Sequence, residues 1–155
     1  MAVAALIEAC FNQYPGCLFT WDEFPELRAP ASWAAGRGTE FWVVDDTADS
    51  IAGCIAATPD GGTGVELHKF YVAAPLRGAG LAQMLATKVF ACAERVKASN
   101  IFLWTDTRFT RAHRFYEKMG FARQPETRHL GDVSDTTEFL YTLDLSLARS
   151  SAGAS

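Results

Sequence analysis

The order of patterns along this chain predicts an α+β domain built on one central, mixed but mostly antiparallel twisted sheet flanked by helices. Three observations carry that expectation. Three strand-like runs follow one another between residues 40 and 72, separated by turn residues. After Leu81 the apolar period lengthens from two to that of a helix. A second helical stripe is then followed by two more strand-like runs, so strands and helices share one sheet rather than forming a regular parallel array.

Residues 2–11, AVAALIEACF, read as an amphipathic helix closed by Tyr14, Pro15 and Gly16. A loop follows, CLFTWDEFPELRAP, and residues 31–35 fit a helical turn. Residues 40–44 and 51–58 are rich in strand formers and flank the polar DDTADS, which predicts a hairpin. A glycine-rich turn over 59–64 leads to the third strand, 65–72. From Leu81, apolar residues recur at Met84, Leu85, Val89, Cys92 and Val96, predicting a helix that ends near Ser99 and Asn100. Residues 101–105 read as a short buried strand. Residues 110–119 read as a helix with Ala112, Phe115, Tyr116 and Met119 on one side and Gly120 as its cap. Strands over 121–126 and 138–145 complete the sheet. ARSSAGAS, residues 148–155, reads as a flexible tail after a single domain spanning 1–147.

Composition narrows the function. The chain has 155 residues, 49% hydrophobic and 21% charged, enough to bury a core without metal or disulfide staples. A net charge of −4 with no basic run argues against nucleic acid as a partner. No apolar run reaches membrane-spanning length, and the first residues lack the basic start of a signal peptide. Cys10, Cys17, Cys54 and Cys92 show no metal-type spacing and suit a reducing compartment, so no metal and a cytoplasmic location are expected. His113, on a helix beside arginines, is expected to be solvated. His129, Asp132 and Asp135 are expected in an ordinary polar loop.

The chemistry concentrates in VELHKFYVAAPLRGAGLAQML, residues 65–85. Small residues at a strand-to-helix junction let a ligand approach bare backbone, and the first amides of a helix carry partial positive charge. An anionic oxygen is the natural occupant, most often a phosphate's. A Walker loop needs glycine followed by lysine, a pair this chain lacks. A dinucleotide fingerprint needs a third glycine where Gln83 stands. The pattern Arg/Gln-x-x-Gly-x-Gly/Ala remains, met by Arg77, Gly80 and Ala82. A merely tight turn is the competing reading.

With ELHKFYV (residues 66–72), Pro75, RGAGLA (77–82) and the later AHRFYEKMGF (112–121), the sequence resembles the GNAT superfamily of acyl-coenzyme A-dependent N-acetyltransferases. The order of elements matches over nearly the whole chain. The family begins with a strand before its first helix. This chain opens on the helix, so that edge strand is either absent or lies upstream. Where the family often has asparagine, three residues before the helix alanine, Phe109 stands.

The resemblance implies a GNAT-like three-layer fold and an acetyl group moved from acetyl-coenzyme A to a primary amine of a small molecule, a peptide being less expected. A non-catalytic coenzyme A-binding module or regulatory subunit is the alternative. The pantetheine would lie along Phe70, Tyr71 and Val72, in the manner of an added strand. The pyrophosphate would sit on amides of Gly78, Ala79, Gly80, Leu81, Ala82 and Gln83, supported by Arg77. Tyr116 matches the family's general acid, and the Val72 amide its oxyanion donor. Glu66 and His68 match a histidine pair of the arylalkylamine acetyltransferases, and either would serve as base, unless a water chain does. Strand alternation predicts Glu66, His68, Phe70 and Val72 on one face and Leu67, Lys69 and Tyr71 on the other. Trp21, Asp22, Glu23 and Phe24 are candidates for the acceptor side. A homodimer accords with the family, although no stripe marks an interface.

Overall fold

The computed structural model describes residues 1–146, and the expected tail lies outside the described residues. Helices α1 (Ala2–Phe11), α2 (Pro30–Gly36), α3 (Leu81–Arg95) and α4 (Thr110–Lys118) flank strands β1 (Glu40–Thr47), β2 (Ser50–Pro59), β3 (Gly64–Val72), β4 (Asn100–Asp106), β5 (Ala122–His129) and β6 (Thr137–Asp144). The strands form one sheet in the order β1-β2-β3-β4-β6-β5. All neighbours run antiparallel except β3 and β4, which α3 connects in parallel. The expected α+β architecture is therefore present, opening on α1 within the described residues.

Boundaries shift where backbone detail decides. β1 continues past the expected turn through Asp45 and Asp46, because register irregularities there let the polar residues stay paired with β2. The hairpin closes with a 2.8 Å bond between the Thr47 and Ser50 hydroxyls. α3 stops at Arg95, short of Ser99, as Lys97 turns the chain out with φ +56°.

The sheet is sandwiched. Leu85, Val89 and Cys92 of α3, with Tyr116 of α4, pack on one face against Val65, Leu67, Ile101, Leu103 and Tyr141. Leu6, Ile7, Cys10 and Phe11 of α1 pack on the other with Leu27 and Cys54. All four cysteines are buried, unpaired thiols. No helix among the described residues is long and apolar enough to cross a membrane.

The centre of the sheet is open. The β3–β4 ladder comprises Gly64↔Asn100, Val65↔Ile101 and Glu66↔Phe102 and then ends. β4 keeps pairing with β6 along its whole length while β3 follows β2. The two strands part, leaving one edge of β3 without a ladder partner from Leu67 onward.

A bulge in β3 corrects the expected face assignment. Cys54 opposes Tyr71 and Ala56 opposes His68, so Ile55 faces two residues, Lys69 and Phe70. Lys69 adopts φ +51°, a left-handed conformation rare for a residue with a side chain. The extra residue inverts the alternation beyond it. Phe70 and Val72 therefore join Leu67 on the α3–α4 side, whereas His68 packs against Trp33 of α2 and Tyr71 against Phe11 of α1. Glu66 and His68 do not share a face with Phe70 and Val72.

Candidate active site

The glycine loop has the backbone that its sequence suggests. Gly78 and Gly80 both lie in the left-handed region, at φ +87° and +84°. A Cβ built on either meets nothing within 4 Å, so it is the dihedral, not crowding, that calls for glycine. Gly80 is the N-cap of the 15-residue α3, with no side-chain cap, which leaves the first amides of the helix facing outward. These features fit a diphosphate: open space above bare donors at the positive end of a helix dipole. Arg77 lies beside them but is held back toward α1, donating from Nη1 to Gln13 Oε1 at 2.6 Å and approaching Cys10 Sγ at 3.9 Å.

A cavity of about 310 Å³ runs from this loop to the parted strands. Arg77, Gly78, Gly80, Ala82 and Gln83 line one end, and Phe70, Val72, Ala112 and Tyr116 the other. Ala79 and Leu81 are not among its lining residues. Ala73 donates its N–H to Ala52 of β2 at 2.8 Å. Backbone direction alternates along a strand, so the Val72 N–H points the opposite way, toward the opening.

Tyr116 occupies the junction. It is 6% exposed, enclosed by Phe70, Phe115, Phe121 and Tyr141 at centroid distances of 5.9–6.2 Å. It borders both the large cavity and a second one of about 90 Å³ on the far side of the parting. Burial alone pushes its phenol well above the ordinary value, so the group holds its proton at neutral pH. Tyr71 and Phe109 also border both cavities.

The two base candidates have different surroundings. His68 lines the smaller cavity, with Nε2 2.7 Å from the Thr58 hydroxyl. Burial, reinforced by Lys69 and Arg37, pushes its pKa down to about 4. Glu66 is half-buried on the same side and lines neither cavity. Burial raises its pKa, partly offset by Arg128 and Arg37.

Other expectations sort plainly. His113 is buried rather than solvated: its Nε2 bonds the Asp106 carbonyl at 2.9 Å and its ring stacks on Tyr141. The arginines beside it in sequence point elsewhere because the helix turns one narrow face to the sheet. His129 and Asp135 form an exposed 2.6 Å hydrogen bond, and Asp132 caps Thr136, as befits a polar loop. Of the α1–α2 loop, Glu23 accepts the Val133 N–H at 2.6 Å, and Leu18 and Ser134 exchange two hydrogen bonds. This loop is thus latched to the β5–β6 loop. Phe24 lies beneath Lys69, whose ammonium pairs with Glu26. Sequence reasoning missed Asp106 and noted Phe109 only as standing where the family often has asparagine; both line the smaller cavity. The only signal for Asp106 was its place between a strand and a helix start.

The family model for the acetyltransferase (GNAT) family matches residues 2–121. The chain belongs to the GNAT acetyltransferase family. Enzymes of this family are acyl-coenzyme A-dependent N-acyltransferases that use acetyl-coenzyme A as donor. Solved structures agree on the fold. A GNAT acetyltransferase from Staphylococcus aureus Mu50 superposes with TM-score 0.76 at 20% identity, covering 94% of this chain and 92% of that one. An acetyltransferase from Streptococcus agalactiae gives 0.75 at 21% identity, covering 92% and 90%. A GNAT acetyltransferase from Elizabethkingia anophelis, solved with acetyl-coenzyme A bound, gives 0.56 at 19% identity, covering 77% and 87%. No curated protein sequence matches this GNAT chain.

Proposed function

We propose that this GNAT protein transfers an acetyl group from acetyl-coenzyme A to a primary amine of a small molecule by direct attack. One observation carries the reading: the buried, proton-bearing phenol of Tyr116, on the α3–α4 side of the parted strands, borders both the cavity beside the glycine loop and the cavity across the parting, whereas Tyr71, which also borders both, packs toward α1 against Phe11. A donor in the first and an acceptor in the second would meet at that group.

In this reading the amides of Gly78, Ala79, Gly80, Leu81, Ala82 and Gln83 hold the diphosphate, and Arg77 adds a cation once released from Gln13. The free edge of β3 at Phe70, Tyr71 and Val72 receives the pantetheine amides. Acetyl-coenzyme A supplies an activated acyl group. The Val72 N–H donates to the carbonyl oxygen as it gains charge. The attacking amine must be neutral to have a lone pair, and Glu66 takes its proton through a water, since it borders neither cavity itself. Tyr116 gives its proton to the departing sulfur. His68, neutral and tied to Thr58, shapes the acceptor side. Four unpaired thiols suit a reducing compartment, which supports a cytoplasmic location.

The test is release of free thiol from acetyl-coenzyme A over an amine panel. Turnover that collapses in Tyr116→Phe while coenzyme A still binds supports the assignment. Tight coenzyme A binding without turnover of any amine overturns it.

A further inference from the structure

We propose that the smaller cavity selects an apolar carbon skeleton, making the acceptor a hydrophobic primary monoamine rather than a polyamine, amino sugar or amino acid. This rests on the acetyltransferase reading above and narrows its substrate class.

Each charged group in the wall of this cavity already has its partners. Asp106, 7% exposed, is the one carboxylate lining the cavity. It accepts from the Arg108 backbone N–H at 2.9 Å, from Nε at 2.9 Å and from Nη2 at 2.8 Å, and Cys17 Sγ lies 3.8 Å away. That carboxylate is spent. Lys69 is the one ammonium; it pairs with Glu26 and lies over the rings of Phe24 and Trp33 at 5.1 and 5.6 Å. His68 is neutral and bound to Thr58. Neither a second ammonium nor a carboxylate on the acceptor would find a free counter-charge. Glu66, outside the cavity, lies within the fields of Arg37 and Arg128, which weaken its pull on a distant cation.

The remaining wall carries no charge: Thr105, Tyr71 and Tyr116 bring neutral hydroxyls, and the rest is carbon. Leu67, Phe70, Trp104, Phe109 and Ala112 supply aliphatic and aromatic surface on both sides of the parting. A second charge would lose its water there without repayment, whereas each added methylene is favourable.

The experiment compares kcat/KM for propylamine, butylamine, pentylamine and 1,4-diaminobutane with the wild-type chain. The expected result is a rise of about fourfold per methylene, with the diamine at least roughly tenfold below butylamine. A flat series, or a diamine equal to or better than butylamine, overturns the proposal. Trp104→Glu combined with Arg128→Met, which removes the guanidinium lying 4.5 Å over that ring, supplies the missing carboxylate and should raise the diamine-to-butylamine ratio about tenfold or more. If no amine turns over, the acetyltransferase reading has failed, and calorimetry on the coenzyme A complex decides the cavity separately. Tighter pentylamine then sustains the apolar assignment; tighter diamine overturns it.

Discussion

The Thr58 hydroxyl lies 2.7 Å from Nε2 of His68 and 2.6 Å from the Thr39 hydroxyl, so one ring nitrogen of the strand histidine is committed to a small buried chain of hydroxyls. Its cationic neighbours Lys69 and Arg37 further disfavour a proton on it. A histidine placed this way is a wall of the smaller cavity and a weak base.

Glu66→Gln should therefore lower kcat about a hundredfold at pH 7.5, while His68→Gln stays within about threefold. Because burial raises the Glu66 carboxyl, the acid limb of the rate profile should fall above the ordinary carboxylate range and vanish in Glu66→Gln. Equal losses in the two variants would move the base to His68 or to both.

Stability should also depend on His68. Its folded pKa is about 4, against an ordinary 6.5, so between those values the unfolded chain binds the extra proton. The stabilisation is complete above pH 6.5 and is lost as pH falls toward 4, up to about 3 kcal/mol. Glu66, shifted upward, pulls oppositely, being more stable protonated in the fold. Denaturant melts of His68→Gln and wild type should converge in relative stability as pH drops through this window. A constant difference would contradict the assignment.

Tyr116→Phe keeps the ring that Phe70, Phe121 and Tyr141 enclose and removes only the proton donor. Thermal stability should change little, and kcat should fall about a hundredfold or more with KM for the acyl donor nearly unchanged. Retained kcat would show that the sulfur leaves without this phenol.

Gly80→Ala forces a side chain into φ +84° at the start of α3 and should cost about 1–2 kcal/mol of stability. Coenzyme A affinity should fall as well, because the outward amides are disturbed. Arg77→Ala should leave stability nearly intact and weaken coenzyme A about tenfold, the effect shrinking at high salt. Unaltered affinity in both variants, measured by calorimetry, would place the diphosphate elsewhere.

Lys69→Met strands the Glu26 carboxylate, whose side chain is 16% exposed, without its partner. The expected loss is roughly 2–4 kcal/mol, less than for a fully buried pair. Urea midpoints of the single variants and of Lys69→Met combined with Glu26→Gln measure it; the double variant should recover part of the loss.

Order and type of elements were legible because the chain changes period cleanly, from the paired strands around DDTADS to the stripe of Leu85, Val89 and Cys92. The glycine loop was legible because only glycine takes φ near +85° without strain. Faces within β3 were not, since alternation holds only while each residue has one partner, and nothing in HKF announces that Lys69 takes a left-handed turn. His113 was misread for a related reason: its sequence neighbours are arginines, but its spatial neighbours are Tyr141 and Phe139. The spent charges of Asp106 and Lys69 depend on Arg108, two residues away, and on Glu26, which only the folded loop brings near.

The extra residue at Lys69 does more than lengthen a strand. Its deletion would restore plain alternation with Leu67, Phe70 and Val72 still on the α3–α4 side, whereas an unbulged strand of the same length would turn Leu67 toward α2 and His68 into the core beneath α3. Engineers who graft acceptor specificity between relatives should therefore transplant this strand whole, from Gly64 to Val72, because a swap that keeps the length and loses the kink would mix two incompatible pleats.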